Sequence, residues 1–202
     1  MEKTNHLNPD IIVMTGDISD ITVLDDKTQY IIDYLSQLKA KYGIIAVTGN
    51  HEYYEGVHTF PEITEKAGIR VLKNESVTIG EVLQIVGIND PHVRESGDNG
   101  PDLEAAMKNI DPNKPIILLS HRPKFFDEAV QYGVDLQLSG HWHGGQPPPG
   151  ELLVGLIIKY SSGLYKVGDS YIYTSNGTGL YGVPMRLFTH NEITKIVLTS
   201  AL

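Results

Sequence analysis

The stretch SGHWHGGQ, residues 139–146, sets two imidazoles one residue apart behind an apolar run and ahead of two glycines. Three other segments share that pattern: IIVMT runs into GDISD, IIAVT into GNHEYY, and IILLS into HRP. Each time, an apolar run of strand length stops at a carboxylate, an amide or an imidazole. Such a mixture of oxygen and nitrogen donors suits Mn, Fe or Zn. The chain has no cysteine, so thiolate sites and disulfides are excluded and any metal must be held by His, Asn and carboxylates. Singly, each motif has a plain structural reading: Asp17 as a turn residue, Asn50 in an Asx-turn, His121 as a hydrogen-bonded histidine at a strand end. Jointly, Asp17, Asn50, His121 and His141 occupy the same structural slot. Alternation in an extended segment sends His141 and His143 to one side and Trp142 to the other, which adds His143 to the donors.

Strands must carry these loops to one place. Ile11–Thr15, Ile44–Thr48, Ile116–Ser120 and Leu136–Ser139 are short, apolar and bounded by turn residues, as buried strands are. Between the first two, Tyr30, Ile31, Tyr34, Leu35 and Leu38 recur at helical spacing, with Asp25 or Asp26 near the start and Gly43 as the stop. That makes a β-α-β unit. The pattern predicts further helices over Thr59–Ala67, after Pro101 and over Pro123–Gln131, and a hairpin turning at Gly80 and Glu81. Towards the C-terminus, YIYTSNGTG, MRLFTH and ITKIVLTS read as strands, while QPPPGELLVGL reads as a stiff, exposed polyproline loop. In open α/β sheets, binding sites gather beyond the carboxyl ends of the strands, so the four polar loops can converge.

The 202 residues are enough for a single domain with a real core, and the balance of 41% hydrophobic to 20% charged residues is that of a globular chain. A formal charge of −9, with no run of Lys or Arg, excludes a backbone-tracking nucleic-acid binder. Action on phosphate esters would need local positive charge, which bound divalent cations can supply. The longest apolar runs, such as LLVGLII at 152–158, fall short of a membrane span, and MEKTNHLNPD carries no signal-peptide core. The expectation is a soluble chain, cytoplasmic by default.

The order GDxxD, GNHE, lone strand-end His and GHxH resembles the calcineurin-like metallophosphoesterase superfamily over about Asn8 to His143. HGGQ and the segment from Gly163 onward resemble its bacterial envelope-associated branch, which includes phosphodiesterases and relatives of UDP-diacylglucosamine pyrophosphatases. The resemblance implies an αββα sandwich of two mixed sheets flanked by helices, holding two metal ions. Asp17 would bridge them; Asn50, His121 and His141 would complete one ion and His143 would serve the other. His51 would face the substrate phosphate as the catalytic residue, and Asp20 and Glu52 would orient the ligands. The implied reaction is hydrolysis of a phosphodiester or pyrophosphate by a metal-bound hydroxide. The implied substrate is a small phosphate ester or a lipid-linked nucleotide. Arg122, His92 and Arg94 are candidates for contacting it, against a default of surface salt bridge or polar loop.

The family's first motif, D-x-H at the end of a first strand, has no counterpart here: only Met1 to His6 precede Leu7. Asn5 and His6 do not replace it, because TNHLNPD reads as the tail of a helix. The expectations are therefore an N-terminally incomplete domain over residues 1–202, one secure ion site and one weak one. An unpaired sheet edge would also invite self-association. A catalytically impaired one-metal remnant or binding module is the alternative. The same branch implies full-length relatives that are membrane-associated or exported.

Overall fold

The computed structural model describes residues 1–21, 24–54, 58–93 and 97–199, so Arg94 and Ser200 lie outside the described residues. Two sheets lie between layers of helix. The first holds β1 (Ile12–Met14), β2 (Ile44–Ala46) and β3 (Ile69–Val71), all parallel, with Ile12 opposite Ile44 and Ile44 opposite Ile69. The second is mixed, in the order β4 (Glu75–Ile79), β5 (Leu83–Gly87), β6 (Ile116–Leu119), β7 (Leu136–Ser139), β9 (Ser170–Thr174), β8 (Gly163–Val167). Its inner strands run parallel, and β4 and β8 close its two edges antiparallel.

Period-two alternation builds the layers. In β2 and β6, Ile45, Ile117 and Leu119 face the space between the sheets, where they meet Val47, Leu72, Ile85 and Leu138. The alternate residues face outward. Ile44 and Ala46 pack under α2 (Asp26–Leu35) and α4 (Phe60–Lys66), through Ile32, Leu35 and Ile63. Ile116 and Leu118 pack under α5 (Leu103–Met107) and α6 (Phe126–Ala129), through Leu103, Ala106 and Ala129. The remaining helices are α1 (Glu2–His6), α3 (Asn50–Tyr54) and α7 (Gly150–Ile157). Asp102 caps α5 by accepting from Ala105 N at 2.8 Å. The β4–β5 hairpin turns through Gly80 and Glu81, both at positive φ as a tight antiparallel connection demands.

Four expectations need correction. Helix α2 ends at Leu35 and buries Ile32 and Leu35, while Tyr30 and Tyr34 stay exposed. The polyproline segment gives way to α7, because the apolar residues after Pro149 are good helix formers and proline is tolerated at a helix start. None of α7's residues is buried, and Leu156 is 82% exposed. MRLFTH and residues 193–199 of ITKIVLTS form no strand, since a strand needs a ladder partner and they find none among the described residues. The outer edge of β1 is likewise without a strand partner among the described residues.

Gly87 lies at a close approach of the two sheets: a Cβ there would run into Leu72 and lie 2.8 Å from Val47 Cγ1. Gly87→Ala is therefore expected to lower stability by about 1–3 kcal/mol through overpacking. Urea denaturation checks this, and an unchanged midpoint would contradict the close approach.

Candidate metal centre

The strands β1, β2, β6 and β7 all end at the same rim, and the residues just beyond them meet. His121, after β6, is the hub. Its Nε2 lies 3.0 Å from Asp17 Oδ2, 3.0 Å from His141 Nδ1 and 3.2 Å from Asn50 Oδ1. Its Nδ1 faces Thr15 O at 2.7 Å. A carbonyl oxygen only accepts, so the Nδ1 proton is committed there and Nε2 is the atom presented to the cluster. Ligand atoms of Asp17, His121 and His141 lie within 4.8 Å of one another.

Backbone strain shapes the rim. Asp17 (φ 53°) and His141 (φ 75°) both sit in the left-handed region, which side-chain-bearing residues seldom adopt and which clusters at functional sites. Gly16 (φ 90°) and Gly49 interlock: a Cβ on Gly16 would strike the Gly49 backbone, and one on Gly49 would strike Asp17. Only glycine lets the two loops touch. Glu52 then ties them together. Its carboxylate accepts from Gly49 N at 2.6 Å, Ile18 N at 2.6 Å and Asp17 N at 2.9 Å, and is 1% exposed.

Electrostatics follow from this crowding. Burial works to raise the Asp17 carboxyl, but the hydrogen bond and charge of His121, helped by His51, hold it below the usual range. Burial opposes charge on His121 as well, yet Asp17 pulls its pKa up. His141 drops to about 3, through burial first and then the neighbouring His121 and Arg122. Burial and the Asp17 charge push Glu52 up, against its backbone donors. Three lone-pair atoms, Asp17 Oδ2, Asn50 Oδ1 and His141 Nδ1, thus crowd around His121 Nε2, where a single proton could not satisfy them all. Such a set fits a divalent cation, with two imidazoles, an amide oxygen and a carboxylate as ligands.

The other sequence-predicted residues fall as follows. His51 N donates to Asp17 Oδ1 at 2.9 Å, and its ring Nδ1 lies 2.8 Å from Asp20 Oδ1. Asp20 therefore orients His51, while Glu52 acts on the ligands through the backbone of the Asp17 loop. His143 stands apart from the other donors. Its φ is 49° and Gly144 and Gly145 follow at positive φ, so the alternation expected of an extended segment does not apply. Its Nδ1 faces Arg186 Nη2 at 3.2 Å, and its carbonyl accepts from Arg186 Nη1 at 3.0 Å. Burial and the Arg186 charge hold its pKa down. Arg122 does not reach out freely: its Nε donates to the buried Asp90 at 2.7 Å, on the side of the site where its charge is felt by His141. His92 packs edge-on to Tyr54 with ring centroids 4.2 Å apart. Asn5 and His6 bond elsewhere, to residues 37 and 39 and to Glu2 O.

Sequence reasoning missed Arg186 and Gln146. Gln146 Nε2 donates to Tyr181 O and Val183 O, and its Oε1 accepts from Tyr181 N. The one signal for Arg186 was a lone guanidinium inside the apolar stretch MRLF. The central role of Glu52 yields a test. Glu52→Ala strands the backbone N–H groups of Gly49, Asp17, Ile18 and Ser19 and is expected to cost about 2–4 kcal/mol in stability and to weaken metal binding together. Calorimetric unfolding and metal titration check this, and a stable variant with normal metal affinity would remove Glu52 from that role.

Residues 1–145 match the family described as calcineurin-like phosphoesterase. An uncharacterized metallophosphoesterase of Aquifex aeolicus is 38% identical over 194 residues, covering 94% of this chain and 73% of its own length. One from Helicobacter pylori is 36% identical, covering 96% of this chain and 52% of its own length. A zebrafish (Danio rerio) transmembrane protein with metallophosphoesterase domain is 35% identical, covering 100% and 48%. The chain thus spans about half the length of several curated relatives it matches. Among the described residues, no helix is long and apolar enough to cross a membrane. The fold matches the sulfate thiohydrolase SoxB of Thermus thermophilus with a TM-score of 0.54 at 18% identity, covering 83% of this chain and 34% of that one. On these matches the chain belongs to the calcineurin-like phosphoesterase family.

Proposed function

We propose that this chain hydrolyses a phosphodiester or pyrophosphate with a divalent cation, Mn, Zn or Fe, held by Asp17, Asn50, His121 and His141. The observation that carries the reading is the convergence of Asp17, Asn50 and His141 on His121 Nε2 within 3.0–3.2 Å. When bound, such a cation would supply positive charge to phosphoryl oxygens and acidify a water, offsetting locally a formal charge of −9. The protein's own groups do the rest. Asp17, lying between His121 and the His51 backbone N–H, sets the cluster's position against β2. Asp20 engages His51 Nδ1, so Nε2 is the atom left to serve the departing oxygen as proton donor. Arg122, oriented by Asp90, adds positive charge beside the phosphate position. The substrate in this reading is a small phosphate ester or a lipid-linked nucleotide.

One observation favours a second reading, a slow one-ion form. His143 is engaged by Arg186 at both its ring and its carbonyl, so among the described residues a second ion beside Asp17 would meet a preoccupied imidazole. Elemental analysis after Mn loading is expected to give about one ion per chain; two would reject the one-ion form.

The catalytic role of His51 is tested on bis(p-nitrophenyl) phosphate. His51→Ala is expected to lower turnover by about 10²–10⁴-fold with metal content unchanged, the range for loss of a general acid. Turnover that survives the substitution refutes the role.

A further inference from the structure

Two tyrosines that take no part in holding the metal cluster stand on either side of His51. Tyr54, one turn along α3, meets the His51 ring at 5.6 Å and 72°; Tyr181, from the distant C-terminal loop, meets it at 5.6 Å and 84°. The row continues at both ends. Tyr54 packs edge-on to His92 at 4.2 Å, and Tyr181 lies 6.3 Å from the His143 ring. Five rings thus line one wall of the site. Core packing does not account for them, because Tyr54 and Tyr181 are each 53% exposed.

Nor is Tyr181 a loosely tethered surface residue. Gln146, from the segment that also carries His141 and His143, accepts its backbone N–H at 3.2 Å and donates to its carbonyl at 3.2 Å and to Val183 O at 2.9 Å. Gln146 is itself buried. A buried amide committed to one loop backbone holds an exposed aromatic ring beside the catalytic imidazole. With its backbone so fixed, Tyr181 has less left to order when a planar group binds against its ring.

From this we infer that Tyr54 and Tyr181 form a specificity wall that selects substrates carrying a planar aromatic group on the departing side of the scissile bond. Aromatic rings gain from edge-to-face and offset-stacked contact beyond the area they bury. His51 lies between the tyrosines, so a ring held against them places its ester oxygen at the imidazole. The inference rests on the phosphoester reading and narrows it to esters whose leaving group bears an aromatic ring.

The test uses two non-hydrolysable phosphonates that differ in the ring. Benzylphosphonate and ethylphosphonate are titrated calorimetrically into the Mn-loaded chain. Benzylphosphonate is expected to bind about tenfold more tightly, a typical gain for one stacked ring. That ratio should fall towards unity in Tyr181→Ala and Tyr54→Ala and persist in Tyr181→Phe and Tyr54→Phe, which keep the ring. A ratio near unity in the unsubstituted chain overturns the inference while leaving the phosphoester reading intact. So does a ratio unchanged by either alanine. Failure of both phosphonates to bind overturns the inference together with that reading.

Discussion

Everything at this rim depends on one buried carboxylate. Glu52 sits where the loops after β1 and β2 cross, and it accepts backbone N–H groups from Gly49, Asp17 and Ile18 at 2.6–2.9 Å. Burying a carboxylate is costly unless its lone pairs are met, and here they are met by donors from both loops. One of those bonds is made by the N–H of Asp17 itself, at its left-handed turn. Glycines at positions 16 and 49 are the steric condition for this arrangement, since a side chain at either would part the loops.

Topology brings in the remaining candidate ligands. Parallel strands β6 and β7 end level with one another in the second sheet, so His121 and His141 emerge side by side. The apolar layer between the sheets sets their distance from Asp17 and Asn50. Thr15 O, at the end of β1, reaches across to His121 Nδ1 at 2.7 Å and orients a ligand of one sheet by the backbone of the other. The geometry of the candidate site and stability are coupled there: the contacts that close the sandwich also aim the imidazole.

Much of this was legible from residue order. Four apolar runs ending in polar residues point to four parallel-type strands with a shared functional end, and Asp17, Asn50, His121 and His141 do meet. His143 was not legible, because its expected direction assumed an extended backbone, whereas consecutive glycines allow a left-handed turn that leads it to Arg186. The helix after Pro149 was hidden by the local preference of the proline run, which extends only to the residues it constrains. The C-terminal apolar segments carry strand composition, but a strand exists only with a partner, and partners are a property of the whole fold. Tyr181 and Gln146 pair across 35 residues, a distance at which no periodicity could join them.

The central claim is that one cation site is assembled from the ends of β1, β2, β6 and β7. Anomalous diffraction at the zinc edge, from crystals of the zinc-loaded chain, tests it most directly. One dominant peak in contact with Asp17, Asn50, His121 and His141 is expected. A dominant peak elsewhere, or no peak with those side chains in their present positions, would contradict it.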